Sequence, residues 1–200
     1  MKFTYFITDL DGTLVKLDID WEQLRTTIRN LLKTDHPLRP LATSIPIAAK
    51  GDNELINKAF NYIKQIELQA AKKVTHDNTL IDFFKWLVQN KIKTGLITLQ
   101  AKEPALLVLE RLGILDFIQL IITREDDLYR INQLSLALKK LNAEPNKTIF
   151  AGDTQWDIDA GKKLGCYTVS VNRNVLGADL YVERITELQK ILNFTFKITY

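Results

Sequence analysis

Phe3-Thr4-Tyr5-Phe6-Ile7-Thr8-Asp9-Leu10-Asp11-Gly12-Thr13 decides the fold. Residues 3–8 are β-rich and nearly all apolar, as a central parallel strand buried on both faces must be. The run then stops at two aspartates and a glycine. A carboxylate-rich, glycine-containing break after a buried strand marks the open end of an α/β sheet, where ligands bind. Outward from this stretch, strand-like segments at 93–98, 117–123, 147–151 and 166–171 alternate with helical patterns at 80–88, 103–112, 131–141, 156–164 and 178–192. That alternation predicts an α/β fold with a parallel sheet of five strands joined by right-handed crossovers.

One region breaks the pattern. Asp20 reads as a helix N-cap with Gln23 at the capping-box position. Trp21, Leu24, Ile28, Leu31 and Leu32 follow at helical spacing. Residues 34–51 hold Pro37, Pro40 and Pro46 and read as a loop. Asp52 or Asn53 opens a second helix with an apolar stripe from Leu55 to Ile66. No strand is legible between Lys16 and His76, and the segment is too long for a simple crossover. The expected division is a core of residues 1–15 and 77–200 with a helical insert at 16–76. At the far end, Phe194, Phe196, Ile198 and Tyr200 alternate with polar residues and read as a half-buried strand. Its expected place is a sheet edge or hairpin within the monomer; pairing with a second subunit is the alternative.

Composition excludes several classes. With 46% hydrophobic and 26% charged residues in 200, the chain is neither disordered nor a fibre. A net charge of +3, evenly spread, does not call for nucleic acid. No stretch approaches the roughly 18 apolar residues of a membrane span. The N-terminus lacks the apolar core of a signal peptide, so a cytoplasmic protein, monomer or homodimer, is expected. The single cysteine, Cys166, rules out an internal disulfide and reads as a buried, inert thiol.

Three strand ends carry polar chemistry: Asp9 with Asp11, Thr98, and Asp153 with Asp157 one helical turn on. In a parallel sheet these ends share one edge, so the side chains can converge. Four carboxylates together repel one another, and a bound hard cation is the usual remedy. Mg²⁺ suits such a site because it takes one or two carboxylates, a carbonyl, waters and phosphate oxygens. No His or Cys lies in these motifs, which argues against zinc or copper. A carboxylate beside Mg²⁺ can attack a phosphoryl group, and a second carboxyl two residues away can serve as acid and then base. Thr98 can donate to a non-bridging phosphate oxygen. Arg25, Arg29 and Lys33, at helical spacing in the insert, read as a solvated face.

Asp9-Leu10-Asp11-Gly12-Thr13-Leu14-Val15 resembles the first motif of the haloacid dehalogenase superfamily. The resemblance continues at Leu96-Ile97-Thr98, at Gly152-Asp153-Thr154-Gln155-Trp156-Asp157, at residues 159–165, and at Gly177-Ala178-Asp179. It covers roughly residues 3–192. It implies a Rossmann-like core with strand order 5-4-1-2-3 and an α-helical cap of the phosphoglycolate phosphatase-like kind. It further implies Asp9 as nucleophile and Asp11 as general acid/base. Asp9, the Asp11 carbonyl and Asp153 would hold Mg²⁺; Asp157 would support the metal's waters or the nearby cation. Thr98 would bind phosphate, and Thr13 would brace the first loop. Two departures stand out. The family's lysine, often followed by proline, falls on Leu128 when counted back from Asp153, and the chain has no Lys-Pro pair. Arg130 is the nearest cation and can bind phosphate in its place. Leu99 stands where many relatives have asparagine.

The expected activity is a Mg²⁺-dependent phosphatase acting on a small phosphorylated metabolite through an aspartyl-phosphate. The alternatives are a phosphotransferase such as a sugar phosphomutase, using the same residues with another acceptor, and a catalytically weakened binding protein on the same scaffold.

Overall fold

The computed structural model describes residues 3–197, with side chains described from 3 to 192. Strands β1 (Tyr5–Thr8), β2 (Lys93–Ile97), β3 (Leu120–Ile122), β4 (Thr148–Gly152), β5 (Tyr167–Val171) and β6 (Leu180–Val182) form one parallel sheet in the order β3-β2-β1-β4-β5-β6. The five-stranded order expected from the resemblance is present, and a sixth strand extends it beyond β5. β6 falls inside the segment expected to be helical. With three residues it carries no readable period, and it is set by pairing to β5 and by the Asp179 carboxylate, which accepts from the Thr168 backbone N–H and hydroxyl at 2.8 Å each.

β1 lies at the centre because both its faces are apolar. Phe6 points to one layer, where it packs edge-on against Phe83 and Phe84 of α4 (Asn78–Gln89). That layer also holds α5 (Lys102–Leu112) and α8 (Leu188–Lys197). Ile7 points to the other, among Leu134 and Ala137 of α6 (Arg130–Leu141) and Ala160 of α7 (Gln155–Leu164). Alternate side chains thus reach opposite layers, as strand geometry requires.

α1 (Trp21–Leu32), α2 (Leu41–Ala48) and α3 (Asn53–Ala71) lie between β1 and α4 in sequence and share an apolar cluster of their own around Ile28, Leu38, Ile45 and Ile63. Asp20 caps α1 through Gln23 N–H, and Asp52 caps α3 through the N–H groups of Glu54 and Leu55. α2 corrects the loop expected at 34–51. Pro46 lies within it, and only its own missing N–H bond is lost; burial of Ala42 and Ile45 outweighs that in so short a helix. The strand expected at the C-terminal end is also corrected. Residues through Lys197 continue α8, with Leu188 and Leu192 buried one turn apart; Ile198–Tyr200 lie outside the described residues. Among the described residues, no helix is long and apolar enough to cross a membrane.

Candidate active site

The C-terminal ends of β1, β2 and β4 open side by side, because Thr8 is level with Leu96 on one flank and Ala151 on the other. Asp9 leaves β1 directly and is buried, its N–H donated to the Ala151 carbonyl at 2.9 Å. The chain then turns through Gly12, whose φ of +86° favours glycine. Glycine is needed there twice over: a Cβ would stand 2.3 Å from Asp153 Oδ2. The same holds behind the site at Gly152, where a Cβ would meet Asp157 Cγ at 2.4 Å. Two missing side chains therefore let two carboxylates close on the backbone: Asp153 on the loop after the neighbouring strand β1, and Asp157 on the end of β4, the strand before its own helix.

Arg130, at the start of α6, is the hub. Its Nη2 donates to Asp9 Oδ1 at 2.7 Å. Its Nε stands 2.7 Å from Asp157 Oδ1, an ion pair outside hydrogen-bond alignment. Nη1 donates to the Ile97 carbonyl and to Gln133 Oε1, both at 3.0 Å. Gln133 in turn donates to the Thr98 carbonyl at 2.8 Å, so one helix fastens both the cation and the end of β2. Asp157 sits in a reciprocal capping box with Thr154, its Oδ2 accepting from the Thr154 N–H at 3.0 Å. Thr98 is buried, with its hydroxyl accepting from the Gln100 N–H at 3.2 Å. Asp11 faces the insert: its Oδ1 accepts from the Leu17 N–H at 2.8 Å, and the Trp21 side chain also bonds to it. Thr13 is buried, and its hydroxyl has no hydrogen-bond partner among the described residues. Its N–H reaches the Leu10 carbonyl at 3.4 Å, so the first loop is braced by backbone rather than by this hydroxyl.

The electrostatics are those of an anionic crowd. Burial raises the Asp9 carboxyl well above the usual range; Arg130 opposes the rise, while Asp157, Asp153 and Asp11 add to it. Burial and then Asp157 push Asp153 up to about 6, against the nearby Arg173 guanidinium, whose Nε lies 3.9 Å from Asp153 Oδ2. Burial raises Asp11 too, and the Leu17 N–H holds it back. Burial works against the charge of Arg130, but Asp157 and Asp9 outweigh it and keep it cationic. Negative charge thus exceeds positive at the sheet edge, which is what a divalent cation would relieve. Among the described residues no three Asp, Glu, His or Cys side chains form an all-protein cage. Two carboxylates, Asp9 and Asp153, with the Asp11 carbonyl, would instead suit the sparse oxygen set that Mg²⁺ takes alongside water and phosphate.

A cavity of about 880 Å³ opens above this edge, walled by Asp9, Thr98 and Arg130 on one side and by Trp21, Arg25 and Phe60 of the helical insert on the other. Of the seven residues singled out in the sequence, Asp9, Asp11, Thr13, Thr98, Asp153 and Asp157 lie at or just after these three strand ends, and Arg130 reaches them from the start of α6, which follows β3. Leu128 lies in the cavity wall and Leu99 turns its carbonyl to Arg124. Arg25 corrects the solvated face expected of it: its side chain is largely buried in the cavity wall and pairs with Glu22 at 2.6 Å. Gln133 and Arg173 were not legible as site residues. Gln133 stands one turn after Arg130 on α6, and that spacing is the signal that could have found it.

Comparison with known proteins agrees with this fold. Residues 6–171 match the haloacid dehalogenase-like hydrolase family, and the chain belongs to it. It is an enzyme of that hydrolase family. A pyrophosphatase PpaX of Bacillus velezensis is 28% identical over 95% of this chain and 96% of its own length. A PpaX of Anoxybacillus flavithermus is 24% identical over 98% of this chain and 99% of its own. Among solved structures, a hydrolase from Pseudomonas syringae superposes with a TM-score of 0.74 at 18% identity, covering 96% of this chain and 98% of that one. A β-phosphoglucomutase from Clostridium difficile superposes with a TM-score of 0.70 at 21% identity, covering 99% and 100%. These two likenesses show the fold.

Proposed function

We propose that this hydrolase is a Mg²⁺-dependent phosphatase that cleaves a small phosphorylated metabolite through an aspartyl-phosphate on Asp9. The observation that carries the reading is the Arg130 guanidinium, buried and held 2.7 Å from Asp9 Oδ1 and 2.7 Å from Asp157 Oδ1. A fixed cation beside the nucleophile is what developing charge on a transferring phosphoryl group requires. Arg130 thereby takes the place of the lysine missing at Leu128.

In the first half-reaction an oxygen of Asp9 bonds to phosphorus, and the bond from phosphorus to the leaving oxygen breaks. Asp11 gives that oxygen a proton; burial favours the protonated carboxyl it needs. In the second, Asp11 takes a proton from water as the water oxygen bonds to phosphorus. The bond between Asp9 and phosphorus breaks, and inorganic phosphate leaves. Thr98 donates to a non-bridging oxygen, and Asp157 keeps Arg130 in place. Asp9, the Asp11 carbonyl and Asp153 would hold Mg²⁺, which when bound offsets the repulsion between the nucleophile and an anionic phosphate.

The helices at 16–76 act in this reading as a cap over a core of 1–15 and 77–200, and the cavity between them suits a small substrate. The likeness to PpaX pyrophosphatases supports pyrophosphate as one candidate substrate. The lone cysteine supports a cytoplasmic setting; the proposed assembly is a monomer or homodimer. The test is hydrolysis of p-nitrophenyl phosphate and of pyrophosphate, with and without Mg²⁺, by the wild type and Asp9→Asn. Mg²⁺-dependent turnover that falls by about 10³-fold or more in the variant is expected. Near-wild-type turnover in Asp9→Asn would remove Asp9 from the nucleophile's role.

A further inference from the structure

Outside the sheet edge, the cavity wall holds a second buried charge pair that the chemistry above does not use. Glu67 comes from α3 in the insert and Arg124 from the segment after β3; both are buried. Arg124 Nη1 stands 2.6 Å from Glu67 Oε1. The pair does more than close on itself. Glu67 Oε2 accepts from the Ala101 N–H at 3.1 Å. Arg124 Nη1 also donates to the Leu99 carbonyl at 3.3 Å, and the Arg124 N–H donates to the Gln100 carbonyl at 3.2 Å. On the insert side, Nη2 donates to the Phe60 carbonyl at 3.3 Å, with the guanidinium 5.3 Å from the Phe60 ring centroid.

On the core side, the backbone groups bonded by Glu67 and Arg124 all belong to Leu99-Gln100-Ala101, the three residues that follow Thr98. Apart from the Gln100 N–H bond to the Thr98 hydroxyl and the backbone bond from Arg124, this loop has little fastening of its own. Ala101 is the N-cap of α5 and offers no side-chain acceptor. The Gln100 amide is buried, and neither its Nε2 nor its Oε1 has a partner among the described residues. The start of α5 is instead capped from outside, by Glu67 at Ala101 and by Glu125, both of whose carboxylate oxygens accept from the Lys102 N–H at 3.1 Å. A buried ion pair is a poor way to gain stability, since apolar side chains of the same size often do as well. What an apolar pair cannot do is supply an acceptor to Ala101 and donors to Leu99.

We propose that Glu67 and Arg124 are positioning residues: through them the helical insert holds the loop 99–101, and with it Thr98, at the height where Thr98 meets the phosphoryl group. This rests on the phosphatase reading for the role of Thr98, but the fastening of the loop does not depend on it. The two claims are therefore tested by different readouts.

The experiment compares the wild type with the double variant Glu67→Leu/Arg124→Met and with Glu67→Gln. Amide hydrogen exchange reads the loop directly, and the kcat and KM for p-nitrophenyl phosphate with Mg²⁺ read its consequence. The double variant fills the same space without leaving a lone buried charge. Its thermal midpoint should stay near that of the wild type. Exchange at Leu99, Gln100 and Ala101 should rise about 100-fold or more, while exchange in the β1 and β4 amides is unchanged. Its kcat should fall by about 10- to 100-fold, the scale of an ångström-sized misplacement, with a smaller change in KM. Glu67→Gln has one acceptor oxygen in place of two and can serve Ala101 or Arg124 but not both. It should show the same exchange increase to a lesser degree, about 10-fold, and it carries the test should the double variant fail to fold. Wild-type exchange at 99–101 in the folded variants would overturn the proposal. So would faster exchange with unchanged kcat. Absence of turnover in the wild type itself would count against the phosphatase reading, and the exchange rates would still decide whether the pair holds the loop.

Discussion

Arg130 faces two buried carboxylates with one guanidinium, so its charge and its shape can be separated by substitution. Arg130→Lys keeps the charge but loses the fork that reaches Asp9, Ile97 and Gln133 together. We expect kcat/KM for an aryl phosphate to fall by about tenfold or more, with the fold retained. Arg130→Ala leaves Asp157 buried without its cation and should lower stability by about 3–5 kcal/mol. A denaturant titration of both variants checks this, and equal stability in all three chains would contradict it. Cys166 tests the interior from another side. Burial pushes its thiol up to about 12, whereas an unfolded thiol ionises near about 8.5. The fold keeps the neutral form, so as pH rises the unfolded chain releases its proton first. The stabilisation is therefore intact below about pH 8 and is lost above it, by at most about 1.4 kcal/mol per pH unit up to the folded value. Urea midpoints at pH 7 and 9.5 should fall further in the wild type than in Cys166→Ala. At this scale the sequence was most legible where chemistry and backbone coincide. Asp9, Asp11 and Asp153 occupy strand ends that the apolar runs mark out, and the glycines at 12 and 152 sit where carboxylates close in. Glu67, Arg124 and Gln133 were not legible, because their meaning lies in partners 34, 57 and 35 residues away.

Among the elements, caps and periods decided what could be read. Asp52 is exposed and caps α3 through two backbone N–H groups. Asp52→Ala should lower stability by about 1 kcal/mol and leave kcat unchanged, since α3 meets the site at its other end. A melt together with an aryl phosphate assay checks both halves; a loss of activity at full stability would contradict the description of α3. α1 and α3 were readable because each begins with a capping aspartate and keeps a 3.6-residue stripe for 12 and 19 residues. α2, at eight residues with an internal proline, offers neither signal. β6 is too short for periodicity, and its place is set by β5 and Asp179 rather than by local preference. The two-residue alternation at Phe194–Lys197 was a local pattern overridden by a helix already under way from Leu188.

For the whole molecule, the sheet supplies a fixed edge and the helical insert supplies the facing wall. Their shared cavity brings Asp11 under the reach of Leu17 and Trp21 and brings the 99–101 loop under that of Glu67. The insert therefore touches both the proposed acid and the proposed phosphate loop. Overall topology was legible because alternating strands and helices permit few arrangements of a parallel sheet. The way the insert docks on the core was not, because it depends on single long-range contacts. The central claim is that phosphoryl transfer passes through Asp9. Its most direct test is rapid acid quench of Asp11→Asn, the variant expected to slow release, during reaction with a ³²P-labelled phosphate ester and Mg²⁺. The account predicts a hydroxylamine-sensitive label on the peptide that contains Asp9, absent from Asp9→Asn/Asp11→Asn. Ester cleavage by the Asp11 variant with no protein-bound label, or with a label on another peptide, would contradict it.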